Sequence, residues 1–177
     1  MKSLLENESI RLRACEPGDA VLVYRAENDT DEWETSVCNE PVSLYSVQRF
    51  IDECTGDFFM DCRLKMVIER KADGMPIGFV DLFGYDHLTA KAEIGMLVLK
   101  PFRGMGYARQ AAALAVDYAF SRLKLNQIYA YFTTDNVKAI GLFETLGFVR
   151  AGTLRQWFFS HTSGYKDALV MQLVGGR

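Results

Sequence analysis

The stretch Lys100–Gln110, KPFRGMGYARQ, joins two segments of opposite texture. Before it runs Glu93–Leu99, EIGMLVL, an apolar run that reads as a strand. After it runs Ala111–Phe120, AAALAVDYAF, built largely from the best helix former. Where a strand feeds a helix through a short glycine-containing loop, several backbone N–H groups lack intrahelical partners and point to one place. The helix dipole adds partial positive charge there. Gly104 and Gly106 let the backbone approach a ligand closely, and Arg103 adds a cation at the rim. Such an assembly suits a pyrophosphate. It is not a Walker loop, because no Gly-Lys-Ser/Thr follows, nor GxGxxG, because Arg109 stands where the last glycine would be. The other reading of the same glycines is a plain tight strand–helix turn.

Outward from this loop the chain alternates between recognisable periods. Ser9–Cys15 (SIRLRAC) alternates with a period of two, and the segment after Pro17 takes helical spacing. Ser43 is an expected N-cap for a helix whose apolar face holds Leu44, Val47, Phe50, Ile51 and Cys54. RLKMVIER and IGFVDLFG flank Asp73–Gly74, a hairpin signature, and a second turn over Tyr85–Lys91 leads to the strand before the loop. Gln127–Thr133 reads as a strand, Asp135–Phe148 as a capped helix closed by Gly147, and Phe148–Val174 as two strands around Ser163–Gly164. The expected order is β-α-α-β-β-β-α-β-α-β-β. That predicts an α/β (α+β) class with a mixed sheet of about seven strands and about four helices. The first half lacks the alternation of a doubly wound nucleotide fold.

Length and composition bound the partners. At 177 residues, 49 % hydrophobic and 24 % charged, residues 1–177 read as a single ordinary globular domain. No leader-like start and no run near ~18 apolar residues is visible, so a cytoplasmic location is expected. Cys15, Cys38, Cys54 and Cys62 show no CxxC or CxxH spacing and read as reduced thiols; no metal is expected. Residues 1–60 carry thirteen acidic and five basic side chains, and residues 61–177 carry ten and fifteen. An acidic half suited to a cation thus precedes a basic half suited to an anion. No basic, aromatic-interleaved run argues for nucleic acid.

RGMGYA at Arg103–Ala108, followed by a helix, a strand and N-x-x-A-x-x-L-F-E-x-L-G-F at Asn136–Phe148, resembles the acetyl-CoA-binding signature of the GNAT superfamily of N-acetyltransferases. The resemblance covers nearly the whole chain. The ending GTLRQWFFSHTSGYKDALVMQL is similar to the closing hairpin of the branch that holds polyamine and ribosomal-protein N-terminal acetyltransferases. It implies a GNAT-type sheet whose two central parallel strands, Glu93–Leu99 and Gln127–Thr133, splay apart around the pantetheine arm of acetyl-CoA. Leu97, Val98 and Leu99 would pair with that arm through their backbones. Arg103, Gly104, Met105, Gly106, Tyr107 and Ala108 would hold the pyrophosphate. Asn136 would bond the cofactor or simply cap its helix, and a small Ala139 would let it pass. Phe143 stands where the family often has a tyrosine that protonates the leaving thiolate, so unassisted departure competes with a non-catalytic acyl-CoA-binding module. The strand tyrosines Tyr129 and Tyr131 are possible substitutes or packing residues.

Acetyl transfer to an amine needs a base, because an ammonium has no lone pair and free lysine-like amines have pKa values of about 10.4. Glu93 is the leading candidate, with a surface carboxylate as its other reading; Asp81 and Asp86 follow. His161, in the closing hairpin, reads as a bystander. The oxyanion donor is expected at a bulge in the central strand near Leu97. For the acceptor, Glu27, Asp29, Asp31, Glu32, Glu34 and Glu40 crowd around Trp33, either as a cradle for a cationic amine or as a solvated surface. The expectation is direct transfer in a ternary complex to a polyamine, diamine or basic peptide terminus. An aminoglycoside-type enzyme is the alternative in substrate, and a homo-dimer is the expected assembly.

Overall fold

A computed structural model describes residues 4–33 and 40–176. Its elements are β1 Ile10–Ala14, α1 Ala20–Glu27, α2 Thr30–Trp33, α3 Leu44–Asp52, α4 Phe58–Asp61, β2 Arg63–Arg70, β3 Met75–Asp86, β4 Lys91–Val98, α5 Tyr107–Ser121, β5 Gln127–Thr133, α6 Val137–Thr145, β6 Val149–Ser160 and β7 Gly164–Val174. Short 3-10 turns at Pro17–Asp19 and Lys100–Phe102 lead into α1 and the loop before α5. The seven strands form one sheet in the order β1-β2-β3-β4-β5-β7-β6. All neighbours are antiparallel except β4 and β5, which run parallel because α5 carries the chain back across the sheet. The expected strand order holds. Six helices, not about four, are present among the described residues, because α2 and α4 are four-residue turns too short to show a helical period.

Local chemistry sets the element ends. Ser43 Oγ accepts from the Ser46 N–H at 3.0 Å and starts α3, whose Val47 and Ile51 face inward while Leu44 and Cys54 lie outside the buried stripe. Phe148 N donates to Phe143 O and Gly147 N to Glu144 O, the paired bonds that close α6. Two apolar clusters hold the layers together. On one face α1 and α3 place Ala20, Val23, Val47 and Ile51 against Val67 and Phe79. On the other, α5 lays Ala111, Ala115 and Ala119 on the sheet, and these small side chains let the helix sit close.

One contact sets the spacing of β3 and β4. A Cβ on Gly78 would lie 2.2 Å from Leu97 O and 3.1 Å from Val98 Cα. Only glycine lets the two backbones meet at this point.

Candidate active site

β4 and β5 pair over three positions only, Lys91 with Gln127, Ala92 with Ile128 and Glu93 with Tyr129. Beyond Glu93, β4 stays in one-to-one register with β3 as far as Val98, while β5 keeps only its pairing with β7, which runs from Gln127 to Thr133. The parallel pair therefore opens as a V with Glu93 at its closed end. The bulge expected in β4 is absent along Glu93–Val98. The irregularity lies instead between Phe83 and Asp86 on β3, where Gly84 takes φ +62°. Without that bulge Leu97 turns its N–H and C=O toward β3, as Leu99 does in donating to Ile77 O. The oxyanion donor expected at Leu97 is therefore not placed in the gap; the backbone of Val98 faces it.

Alternation puts Glu93, Gly95 and Leu97 on one face, opposite Phe83, Asp81 and Phe79 of β3. The Phe83 ring reaches over Gly95, where a Cβ would stand 3.2 Å from Cε1, and Glu93, in register with Phe83, is half-buried. Burial pushes the Glu93 carboxyl up to about 7. Burial, with the nearby charge of Glu93, also raises the Tyr129 phenol, which keeps it protonated. A carboxylate that titrates near neutrality is suited to take and return a proton.

The other two carboxylate candidates are engaged elsewhere. Asp81 accepts from Lys65 Nζ at 3.0 Å, and the same ammonium reaches Glu27 at 3.4 Å, tying α1 to the sheet. Asp86 accepts from the Leu88 and Thr89 N–H groups, and these bonds lower its pKa while ordering the β3–β4 turn. His161 lies in the β6–β7 hairpin with its ring edge-on to Phe159.

At the open end of the V stands the glycine loop. Gly104 and Gly106 take φ +78° and +79°, the left-handed region where a side chain is strained, and Gly106 caps α5. Tyr107 and Ala108 form the first turn of α5, and Met105 is exposed. Arg103 Nε donates to Val98 O at 2.7 Å, and Leu99 N donates to Ile77 O at 2.9 Å. Two of the backbone groups assigned from sequence to the pantetheine arm thus have partners within the chain. Asn136 caps α6, its Oδ1 accepting from Ala139 N at 3.2 Å. Phe143 is buried, its ring centroid 4.8 Å from those of both Phe132 and Phe148. That places it in an aromatic cluster of the core, with no sign of its lining the gap.

The acidic turn does not stand open as a cradle. Glu32 accepts from Arg103 Nη2 at 2.7 Å, and Lys100 Nζ lies 2.9 Å from Asp29 and 2.7 Å from Asp31. The acidic and basic halves of the sequence therefore meet within the chain. Trp33 Nε1 donates to Glu27 O at 2.7 Å and anchors α2 to the end of α1. Glu40 is exposed, and Glu34 lies outside the described residues, as does Cys38. Among the described residues, no group of three or more His, Cys, Asp or Glu side chains could hold a metal ion. None of their helices is long and apolar enough to cross a membrane.

A parallel pair that opens after Glu93, with a glycine loop and helix N-terminus across its open end, is the arrangement that the motifs imply. Residues 9–149 match the acetyltransferase (GNAT) domain. The chain belongs to the GNAT acetyltransferase family. It is therefore an N-acetyltransferase, and its relatives fall in the branch indicated by the closing hairpin. This GNAT chain is 27 % identical to the spermidine N(1)-acetyltransferase of Vibrio cholerae, over 95 % of its own length and 94 % of the relative's. It is 32 % identical to a ribosomal N-acetyltransferase-like protein of Bacillus subtilis over 49 % of its length and 48 % of the other's. Among solved structures, the Vibrio cholerae spermidine N-acetyltransferase in complex with CoA and spermine superposes with a TM-score of 0.84 at 28 % identity, covering 95 % of this chain and 96 % of that one. A dodecameric form of the Vibrio cholerae enzyme gives 0.81 at 29 % identity, with 95 % of each chain covered.

Sequence reading passed over one aromatic contact that lies near Glu93. Trp157 of β6 stacks on Tyr131 of β5, which in turn meets Tyr129 edge-on beside Glu93. The signal was a tryptophan in an otherwise ordinary strand, and its placement depends on a strand irregularity that no local pattern announces.

Proposed function

We propose that the chain, as one GNAT domain, transfers an acetyl group from acetyl-CoA directly to a cationic primary amine of the polyamine class in a ternary complex. The observation that carries this reading is Glu93, a carboxyl lifted to about 7 by burial at the closed end of the V. The residues present fit the donor. Gly104, Gly106 and the first turn of α5 present backbone N–H groups, and Arg103 and Lys100 stand at the rim, where phosphate oxygens would take the place of Glu32, Asp29 and Asp31. Acetyl-CoA supplies the acetyl group and a thiolate able to leave.

The chain's own groups do the rest. Glu93 takes a proton from the bound ammonium, directly or through one water, and so exposes the nitrogen lone pair. Val98, whose backbone faces the gap on the side where its O accepts from Arg103, supplies the N–H for the oxygen on which charge develops. Phe143 donates no proton, and an ordinary thiol pKa of about 8.5 makes unassisted departure affordable. Asn136 serves first as a helix cap, with Ala139 beside it. The paired carboxylates of α2 make the acidic turn a neutralising cover for the loop before they make it a cradle for amines. The spermidine enzymes among the relatives support a polyamine acceptor, and the dodecameric neighbour supports a homo-oligomer.

Two measurements check this reading. Release of CoA thiol is followed with spermidine, spermine, diamines, aminoglycosides and peptides with free N-termini. Turnover highest with spermidine or spermine is expected; turnover with none of these amines in folded protein would favour an acyl-CoA-binding module. Arg103→Ala should raise KM for acetyl-CoA by roughly ten-fold or more, the scale of one charge-assisted hydrogen bond, with KM for the amine little changed. An unchanged KM for acetyl-CoA would remove Arg103 from the donor site.

A further inference from the structure

We propose that Trp157 is a specificity-determining residue for the acceptor: with Tyr131 and Tyr129 it forms an aromatic row, leading from the exposed edge of the sheet to Glu93, on which an extended polycationic amine lies. This deepens the reading of the chain as an amine acetyltransferase and rests on it. Trp157 and Tyr131 stack with centroids 5.8 Å apart and planes at 26°. Tyr131 and Tyr129 meet edge-on at 5.7 Å and 77°. Tyr129 stands in register with Glu93 across the closed end of the V. Three rings therefore descend stepwise to the one carboxylate placed to take a proton.

Trp157 reaches this row only because β6 breaks its regular course. Leu154 pairs with Ala168 and Phe158 with Lys166, so Arg155, Gln156 and Trp157 are matched by Asp167 alone. Gln156 takes φ +51°, a left-handed conformation uncommon for a residue with a side chain. Its N–H donates to the Asp167 carboxylate at 2.8 Å, which replaces the ladder partner that the bulge removes. A bulge on an edge strand also discourages strand pairing, and edge protection alone would be met by any residue turned outward. Here the residue after the strained one is carried back over β7 to cover a ring of β5. Backbone strain held in place by a dedicated hydrogen bond, and used to aim one side chain at the site, is the pattern of a functional constraint.

The chemistry of the row selects for cations strung along a flexible chain. Aromatic faces attract ammonium groups, tryptophan most strongly. Trp157 is 54 % exposed, so part of its surface stays open beside Tyr131. Among the described residues, the chain's own cation–π contacts use Phe50, Phe79 and Phe102. Steps of 5.8 and 5.7 Å between rings are comparable to the spacing of amines separated by three or four methylenes. The amine beside Tyr129 would face Glu93, and the later ones would lie on Tyr131 and Trp157.

Steady-state kinetics with Trp157→Ala and Trp157→Phe test the assignment. Trp157→Ala should raise KM for spermidine and spermine roughly ten-fold, with kcat and the KM for acetyl-CoA nearly unchanged. Trp157→Phe should restore most of the affinity. For a monoamine with the same reacting end the Ala substitution should change little. Equal losses for monoamine and polyamines, or no change for either, would overturn the proposal. A second readout is independent of turnover. The chain has two tryptophans, so Trp33→Phe leaves Trp157 as the sole indole reporter. Spermine should then change its emission saturably, and the absence of any change would also overturn the proposal. Wild-type protein without CoA release on any amine would instead defeat the transferase reading, and the emission titration would still report whether amines bind at Trp157.

Discussion

Glu93→Gln should lower kcat/KM for a polyamine by about 10²–10³-fold, the range of general base catalysis, while leaving the protein at least as stable above pH 7. The two halves of this expectation have one cause. The half-buried carboxylate stands where β4 and β5 part, with Phe83 in register on β3, Tyr129 in register on β5, and Lys91 and Asp86 at the end of the hairpin. Burial raises its pKa from 4.5 to about 7, so the folded state binds a proton more tightly than the unfolded chain. The stabilisation is therefore full below about 4.5 and is lost as pH rises through about 7. Glutamine has the shape without the charge, so at pH 8 it avoids the cost of an ionised buried group while losing the base. A melting temperature at pH 8 equal to or above wild type, with the rate lost, separates this from simple damage. A lower melting temperature with the same fractional loss of activity would point to a structural role.

Gly78→Ala should cost the fold more than any other glycine-to-alanine change that avoids a left-handed φ. Its Cβ would meet a backbone oxygen at 2.2 Å, and Leu97 O belongs to a central strand packed on both faces. Neither strand can give way without parting the ladder from Gly78–Val98 to Phe83–Glu93. Overpacking of this kind costs about 3 kcal/mol or more, and for a chain of this size that lowers Tm by roughly 10 °C. Because the clash lies beside Leu97 and Val98, acetyl-CoA affinity should fall with stability. Gly141→Ala is the contrast. A Cβ at Gly141 meets nothing within 4 Å inside α6, so that change should be neutral or stabilise by about 0.5–1 kcal/mol. Equal thermal melts for the two variants would mean that β3 and β4 do not approach so closely.

Much of this architecture was legible because it rests on local periodicity and caps. Alternation marked the strands, Ser43 and Asn136 marked helix starts, and Asp73–Gly74 marked a hairpin. The glycine loop was legible for the same reason, since Gly104 and Gly106 answer to a local backbone demand. Cross-chain pairing was not. The carboxylates of α2 read as an amine cradle because their partners, Lys100 and Arg103, lie some seventy residues away in sequence. Asp81 read as a second base for want of any sign that Lys65, on the neighbouring strand, would hold it. Phe143 occupies a motif position, yet only the packing of Phe132 and Phe148 around it shows that it faces the core. Trp157 was invisible because its aim depends on the positive φ of Gln156.

The most direct test is the pH dependence of kcat/KM for spermidine, measured in wild type and Glu93→Gln side by side. A base with a pKa near 7 predicts a wild-type rate that rises through neutrality with a limb centred near 7, and a variant that lacks this limb. The same limb in both proteins would contradict the role of Glu93 and leave the proton to another group.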